Sequence, residues 1–204
     1  MEHNVNNWVE LCGTPVERPR LSHVGGGEEY YTFPLEIERL SGFSDRINII
    51  VRRDKISNLE IDEGCPRLAV AGELRSFNNK QSSGSRLVIT VLARELYFTD
   101  EEDSNFVCLT GVLCKPPNLR KTPMGRQICD LMLAVNRRYG RSDYLPCIAW
   151  GRVAQSAAEL GVGESISFEG RIQSRKYIKT ENDKSSERTA YEVSIAELLD
   201  SGMD

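Results

Sequence analysis

The 204-residue sequence has few of the residues on which catalytic and metal sites depend. It has two histidines, His3 and His23, and none of its six cysteines forms a CxxC pair, so the usual zinc-ligand spacings are excluded. It contains no Walker loop and no GxGxxG, GxSxG, HExxH or EF-hand pattern. We therefore expect a protein that is not an enzyme and that uses no metal and no cofactor.

Long apolar segments are also missing. No apolar run approaches the length of a membrane span, and the N-terminal MEHNVNN is too polar for a secretory leader. Four cysteines, at positions 12, 108, 129 and 147, lie in apolar strand-like runs, where a reduced thiol packs as a small hydrophobe. We expect a cytoplasmic protein with no membrane contact.

Aromatic residues are sparse, at 7% of the chain, and the formal net charge is −4, which is unfavourable for a nucleic-acid ligand. The charge is unevenly distributed, however. Residues 1–104 carry a net charge of −6, whereas residues 105–204 carry +2. A basic surface is therefore expected in the second half of the chain.

The two halves are copies of one pattern. A shift of 98 residues aligns VELCG (9–13) with VCLTG (107–111) and LEIERLSGFSD (35–45) with LAVNRRYGRSD (133–143). We therefore predict an N-terminal domain over residues 1–98 and a C-terminal domain over 106–204. The acidic stretch TDEEDSN (99–105) is interpreted as a solvated linker.

Each copy predicts the element order of a five-stranded OB barrel. In the second copy, strands are predicted at 107–113, 129–136, 145–150, 165–172 and 189–198, with Leu131, Leu133 and Val135 on one face. A helix follows the third strand, and 175–188 forms a loop or an extended hairpin. The fold class is therefore all-β, two tandem OB barrels, each with a helix between strands 3 and 4. The first helix is expected to be short or irregular, and VGGGEEYY (24–31) is expected to be a flexible loop.

Aromatic rings alternate with cations around one face of the second barrel. Unpaired bases expose apolar faces on which rings stack, and Lys and Arg hold the phosphates, so this combination is typical of single-strand binding. A lone tryptophan can instead cap a barrel core, and clustered arginines can simply solvate a hairpin. The candidate residues are Tyr139, Tyr144, Trp150, Tyr177, Arg120, Lys121, Arg126, Arg137, Arg138, Arg141, Arg152, Arg175, Lys176 and Lys179.

The second copy resembles the bacterial single-stranded DNA-binding protein family. The opening V.LTG.L...P..R.TP.G and the segment AWGRVAQSAAEL followed by G..I.FEGRIQSRKY are similar to that family's first strand and loop, and to its third strand, helix and fourth strand. The resemblance implies that the four rings named above stack on bases. Tandem barrels in this family further imply a homodimer that presents four barrels.

The first copy resembles the family only through the internal repeat. It lacks the matching set of rings, and the residues that remain as secondary DNA-binding candidates are Phe43, Arg46, Arg52, Phe77 and Lys80. The chain ends at LLDSGMD shortly after the fifth strand, so recruitment of repair proteins through a long acidic tail is not expected.

The sequence thus predicts a protein that binds single-stranded DNA with little sequence preference during replication, repair or recombination. Two alternatives stay open. One is a primosome-type accessory factor that binds single strands and a replication partner such as a helicase or primase. The other is a protein-binding pair of OB barrels that does not contact nucleic acid.

Overall fold

A computed structural model describes residues 6–62, 64–78, 87–137, 140–181 and 184–199 of the chain. These residues fall into two compact units. The first, called here the N-terminal barrel, contains Trp8–Arg75 and Ile89–Phe106. The second, the C-terminal barrel, contains the described residues from Val107 onward and short pieces from earlier in the chain, including Ser76.

The N-terminal barrel is a closed antiparallel sheet with one parallel pair. Its elements are β1 (Asn7–Pro15), β2 (Arg20–Gly25), β3 (Glu28–Glu38), β4 (Ser44–Arg52), α1 (Arg53–Ile56), β5 (Leu68–Asn78) and β6 (Leu87–Phe98). The strand order is β1-β5-β6-β4-β3, and β3 pairs back onto β1 to close the barrel. β2 adds a hairpin to the outer edge of β3.

The C-terminal barrel repeats this arrangement. Its elements are β7 (Ser104–Leu113), β8 (Asn118–Lys121), β9 (Gln127–Asn136), β10 (Ser142–Trp150), α2 (Gly151–Ala158), β11 (Ser165–Glu181) and β12 (Lys184–Leu199). The order β7-β11-β12-β10-β9 closes through β7 and β9. The all-β prediction of two five-stranded OB barrels, each with a helix between its third and fourth strands, is confirmed.

Alternation of apolar and polar residues fills each barrel. Leu131, Leu133 and Val135 of β9 point inward and are buried, as predicted, and the offset of 98 places Phe33 and Leu35 of β3 in the same positions. The intervening residues, such as Asp130 and Met132, face outward and are half-buried. The two-residue alternation along each strand therefore determines which side chains form the core and which form the outer surface, where a ligand could lie.

Two matched glycines show why the repeat is visible in the sequence. A Cβ on Gly72 would lie 2.2 Å from the carbonyl oxygen of Leu92, and a Cβ on Gly170 would lie 2.2 Å from that of Ser194. In each barrel the fourth strand passes too close to the fifth for any side chain. Backbone geometry thus requires glycine at the same place in both copies.

Several local predictions are settled by the model. Helix α1 has four residues and is short, as expected. The prediction of a flexible loop at 24–31 is wrong, because Gly26 and Gly27, with φ of 61° and 82°, form the tight turn between β2 and β3. Two positive φ values are what a type I′ hairpin turn requires. Of the two forms left open for 175–188, the extended hairpin is the one that β11 and β12 build.

The four cysteines predicted to pack as buried hydrophobes are buried in three cases. Cys12, Cys129 and Cys147 are buried and Cys108 is half-buried, and all six cysteines are free. Burial raises the pKa of the Cys147 thiol well above its ordinary value, so it stays protonated. Across the residues that the model describes, no helix has both the length and the apolar character needed to cross a membrane.

Candidate nucleic-acid interface

The outward face of the C-terminal barrel is built by three neighbouring strands. Because paired residues of antiparallel strands project to the same side, Arg120 of β8, Ile128 of β9 and Trp150 of β10 form one row across the sheet. Tyr144 lies on the same face near the other end of β10, beside Ala134. The two rings are six residues apart along one strand, a separation of about 20 Å. Each ring could therefore stack on a different base of an extended strand.

Trp150 lies in a shallow groove with cations around it. The groove is lined by Lys121, Gly125, Arg126, Gln127, Trp150 and Gly151. Trp150 is 39% exposed, so it does not act as a buried cap on the barrel core. The adjacent Gly151 has a φ of 58°, which lets the chain turn sharply from β10 into α2 and leaves the tryptophan at the strand end.

Tyr144 is the most exposed of the predicted rings of the C-terminal barrel that the model describes, at 53%. Its backbone N–H donates a hydrogen bond to the hydroxyl of Ser76, at 2.8 Å, which fixes the start of β10. Its ring is therefore held on a rigid strand while most of its surface meets solvent. This combination suits a stacking platform.

The same face continues onto the long hairpin of β11 and β12. Tyr177 pairs in register with Arg188, and Arg175 pairs with Ala190, so Tyr177 and Arg175 share one side of the hairpin. Tyr177 is half-buried. The predicted ring and its cation thus project to the same side, and Arg175 lies near Glu192.

Sequence reasoning missed two carboxylates on this face. Asp130 accepts two hydrogen bonds from Arg120, at 2.5 and 3.1 Å, and these raise the pKa of the guanidinium. Glu192, whose side chain is 13% exposed, accepts a hydrogen bond from Gln173 at 2.7 Å and lies 3.7 Å from Arg175. Both acids occupy outward positions of the alternating pattern, which could have revealed them. Arg120 and Arg175 are therefore paired before any phosphate arrives.

Arg137 stands apart from this surface. Its guanidinium forms a bidentate ion pair with Asp143, which is fully buried, and donates a further hydrogen bond to the carbonyl of Ser76. The N-terminal barrel repeats the pair as Arg39 and Asp45, which is also fully buried. The repetition at an offset of 98 indicates a structural role at the hairpin between the second and third strands.

The other predicted cations are dispersed. Arg141 is exposed in the turn before β10, and Arg152 is exposed in the first turn of α2. Lys176 points to the opposite side of the hairpin from Tyr177 and pairs with Glu187 at 2.9 Å. The predicted positions Arg138, Tyr139 and Lys80, and the side chain of Lys179, lie outside the described residues.

The secondary candidates that the model describes lie on different elements. Phe43 is 72% exposed in the turn between β3 and β4, and Phe77 is exposed near the end of β5. Arg46 pairs with Glu36 at 2.7 Å. Arg52 forms a bidentate pair with Asp54 that raises the pKa of the arginine.

Sequence comparisons match the second half of the chain to proteins of known type. The model of the family described as "Single-strand binding protein family" matches residues 104–199. Single-stranded DNA-binding protein 2 of Listeria innocua is 39% identical over 80 residues, which are 36% of this chain and 50% of that protein. Single-stranded DNA-binding protein A of Bacillus subtilis is 38% identical over 80 residues, which are 36% and 46% of the two chains. The chain thus spans about half the length of the curated relatives it matches.

Comparison of folds extends the likeness to both barrels. The crystal structure of the wild-type single-stranded DNA binding protein from Thermus aquaticus superposes with a TM-score of 0.76 at 24% identity. The match covers 95% of this chain and 91% of the other. At this low identity the match describes the fold, and it includes the N-terminal barrel that the family model does not reach.

Proposed function

We propose that the chain binds single-stranded DNA with little sequence preference and carries out no catalysis. The match of residues 104–199 to the model of the single-strand binding protein family supports this proposal. The C-terminal barrel is the main binding surface in this proposal. Tyr144, Trp150 and Tyr177 stack on bases, and the cations around them contact phosphates. The exposed Trp150 in its basic groove is the observation that carries the proposal.

Ring stacking explains the lack of base preference. Every base has an apolar face, so stacking on Trp150 or Tyr144 stabilises all four bases to a similar extent, about 1–3 kcal/mol per base. Phosphate contacts add a term that is independent of sequence and decreases with salt. Exposed cations suited to it are Lys121, Arg126, Arg141 and Arg152, and within the described part of the chain none of the four is in an ion pair. Arg120 and Arg175 contribute less, because each is held by a carboxylate.

The bound strand would be held extended along the outer face of β10 and the β11–β12 hairpin, with its bases occupied by rings. Such a strand cannot re-pair or present its backbone to nucleases, which suits a role in replication, repair or recombination. The N-terminal barrel completes the assembly, a homodimer of four barrels, and the protein acts in the cytoplasm at the nucleoid. The alternative of a protein-binding barrel pair becomes the better account only if DNA binding fails.

The proposal is tested by the affinity for labelled oligo(dT), measured by fluorescence anisotropy at low salt. Trp150→Ala and Tyr144→Ala should each weaken binding by about 1–3 kcal/mol, since each removes one stacking ring. The matched control is Tyr97→Ala, because Tyr97 is also exposed but lies on β6 of the N-terminal barrel. Equal affinities of all four proteins would remove the site assignment, and absence of binding by the parent would remove the function.

A further inference from the structure

We propose that the N-terminal barrel carries its own nucleobase-stacking site, formed by the stacked rings of His23 and Tyr30 beside Arg52. The inference rests on the proposed function for its ligand, single-stranded DNA, and adds a second place on the chain where a base binds. Its two rings lie outside the family match at 104–199 and are not among the secondary candidates of the sequence, of which only Arg52 borders the site.

The site occupies the row that corresponds to the Trp150 groove. In the N-terminal barrel, His23 of β2 pairs with Tyr30 of β3, and Tyr30 pairs with Arg52 of β4. The offset of 98 maps Tyr30 and Arg52 onto Ile128 and Trp150, and the residue of the added hairpin strand that pairs with Ile128 is Arg120. In the C-terminal barrel the ring therefore lies on the third strand and the cation on the added hairpin strand. In the N-terminal barrel the ring and the cation have exchanged strands within the same row.

The two rings form a flat surface. Their centroids are 4.8 Å apart and their planes differ by 4°, so they are stacked in parallel. His23 is exposed and Tyr30 is half-buried, which makes the imidazole the outer layer. The hydroxyl of Ser22 lies 3.1 Å from Nδ1 of His23 and fixes the ring orientation. A base stacking on the outer face of His23 would extend an existing column.

A β-bulge aims His23 at this position. Arg20 pairs with Thr32 and His23 pairs with Tyr30, with a register shift between Leu21 and His23. Without the shift, residues three apart on a strand would face opposite sides of the sheet. With it, Arg20 and His23 both point outward, which is the re-aiming that bulges produce next to functional sites. The corresponding pairing of β8 with β9 keeps a regular register.

Charge makes this site different from the Trp150 groove. Arg52 is held by Asp54, and Arg53 is held by Glu29 at 2.8 Å. The exposed Arg20 is the cation placed to meet a phosphate beside the rings. Stacking rather than phosphate neutralisation therefore dominates here, and binding at this site should depend less on salt than binding at the C-terminal barrel.

The test uses the full chain and two labelled oligo(dT) probes, of about 8 and about 30 nucleotides, because one OB barrel occupies about 4–16 nucleotides. His23→Ala should weaken binding of the long probe measurably in the parent background. In a Trp150→Ala background, where the first site is impaired, the same change should weaken binding of the short probe by about 5- to 150-fold, the loss of one stacked base. His23→Phe, which keeps a flat ring, should retain binding.

A second measurement needs no substitution at the site. Oligo(dT) in which some thymines are replaced by 5-iodouracil should form photo-cross-links within residues 20–31 in addition to the C-terminal barrel. The inference fails if His23→Ala binds both probes as its parent does and no cross-link forms in that segment. The proposed function fails separately, if the unmodified chain binds neither probe.

Discussion

At the scale of single residues, the proposed DNA surface contains its own competing anions. Asp130 holds Arg120, and Glu192 lies against Arg175, on the face that also presents Trp150 and Tyr144. A phosphate must displace a carboxylate before it gains either arginine. The number of cations on the face therefore overstates the electrostatic contribution to binding. The stacking rings contribute a correspondingly larger share of the binding free energy.

Removing one of these anions should strengthen binding. Asp130→Asn abolishes the charge that holds Arg120, so we expect a roughly three- to tenfold higher affinity for oligo(dT) at low salt, with one more phosphate contact. The slope of log affinity against log salt should become steeper by about 0.7, the value for one contact on a single strand.

The matched control is Asp62→Asn, which removes the same charge from an exposed pair with Arg18 on the N-terminal barrel. The control should leave both affinity and salt slope near the parent values. If Asp130→Asn behaves as this control does, then Arg120 takes no part in binding DNA.

At the scale of secondary-structure elements, the sequence predicts most of the fold because the decisive signals are local. The period-two pattern of β9 places Leu131, Leu133 and Val135 inward without further information. The short strands β2 and β8 escaped prediction because they are exposed along nearly their whole length and carry no inward apolar stripe. The three glycines of the 24–31 segment suggest a flexible loop by composition, although two adjacent glycines between strands also fit a tight hairpin turn.

The site was predicted less completely than the fold. Residue type indicates that Trp150 and Tyr144 can stack, and the model places both on one outward face. Residue type does not indicate which arginines are already paired, because this depends on partners that meet only in the folded sheet. Arg137 and Asp143 show this: both recur in the two copies, and the recurrence marks a buried ion pair rather than a phosphate contact.

The close approach of the fourth and fifth strands gives a prediction for Gly170. A Cβ at this position would meet the Ser194 carbonyl oxygen at 2.2 Å, and backbone cannot move aside cheaply. Gly170→Ala should lower the free energy of unfolding in urea by at least about 1–3 kcal/mol. For comparison, Gly161→Ala would meet only the flexible side chain of Glu164, and it should change stability by less than about 0.5 kcal/mol. Equal stabilities of the two variants would contradict the close-approach explanation.

At the scale of the whole molecule, two barrels of unequal chemistry share one chain. The C-terminal barrel presents rings on β10 and on the β11–β12 hairpin. The N-terminal barrel presents the stacked rings of His23 and Tyr30 on β2 and β3. If each barrel occupies its own stretch of DNA, one chain covers about twice the length that a single barrel would cover.

The proposed assembly of four barrels gives a prediction about mass. Sedimentation equilibrium should give a particle of twice the chain mass at micromolar concentration and without DNA. A closed two-fold dimer is the commonest soluble homo-oligomer, and it would supply the four barrels. A mass equal to one chain over this concentration range would refute the dimer. It would leave the assignment of the DNA surface unchanged.

The stacking role of Trp150 can be observed directly. The chain has two tryptophans, Trp8 and Trp150, so Trp8→Phe leaves Trp150 as the single fluorescent reporter. In this variant, oligo(dT) at low salt should quench the tryptophan emission to a saturating level, and added salt should restore it as the DNA dissociates. Emission that stays constant while anisotropy shows the labelled oligonucleotide to be bound would contradict base stacking on Trp150.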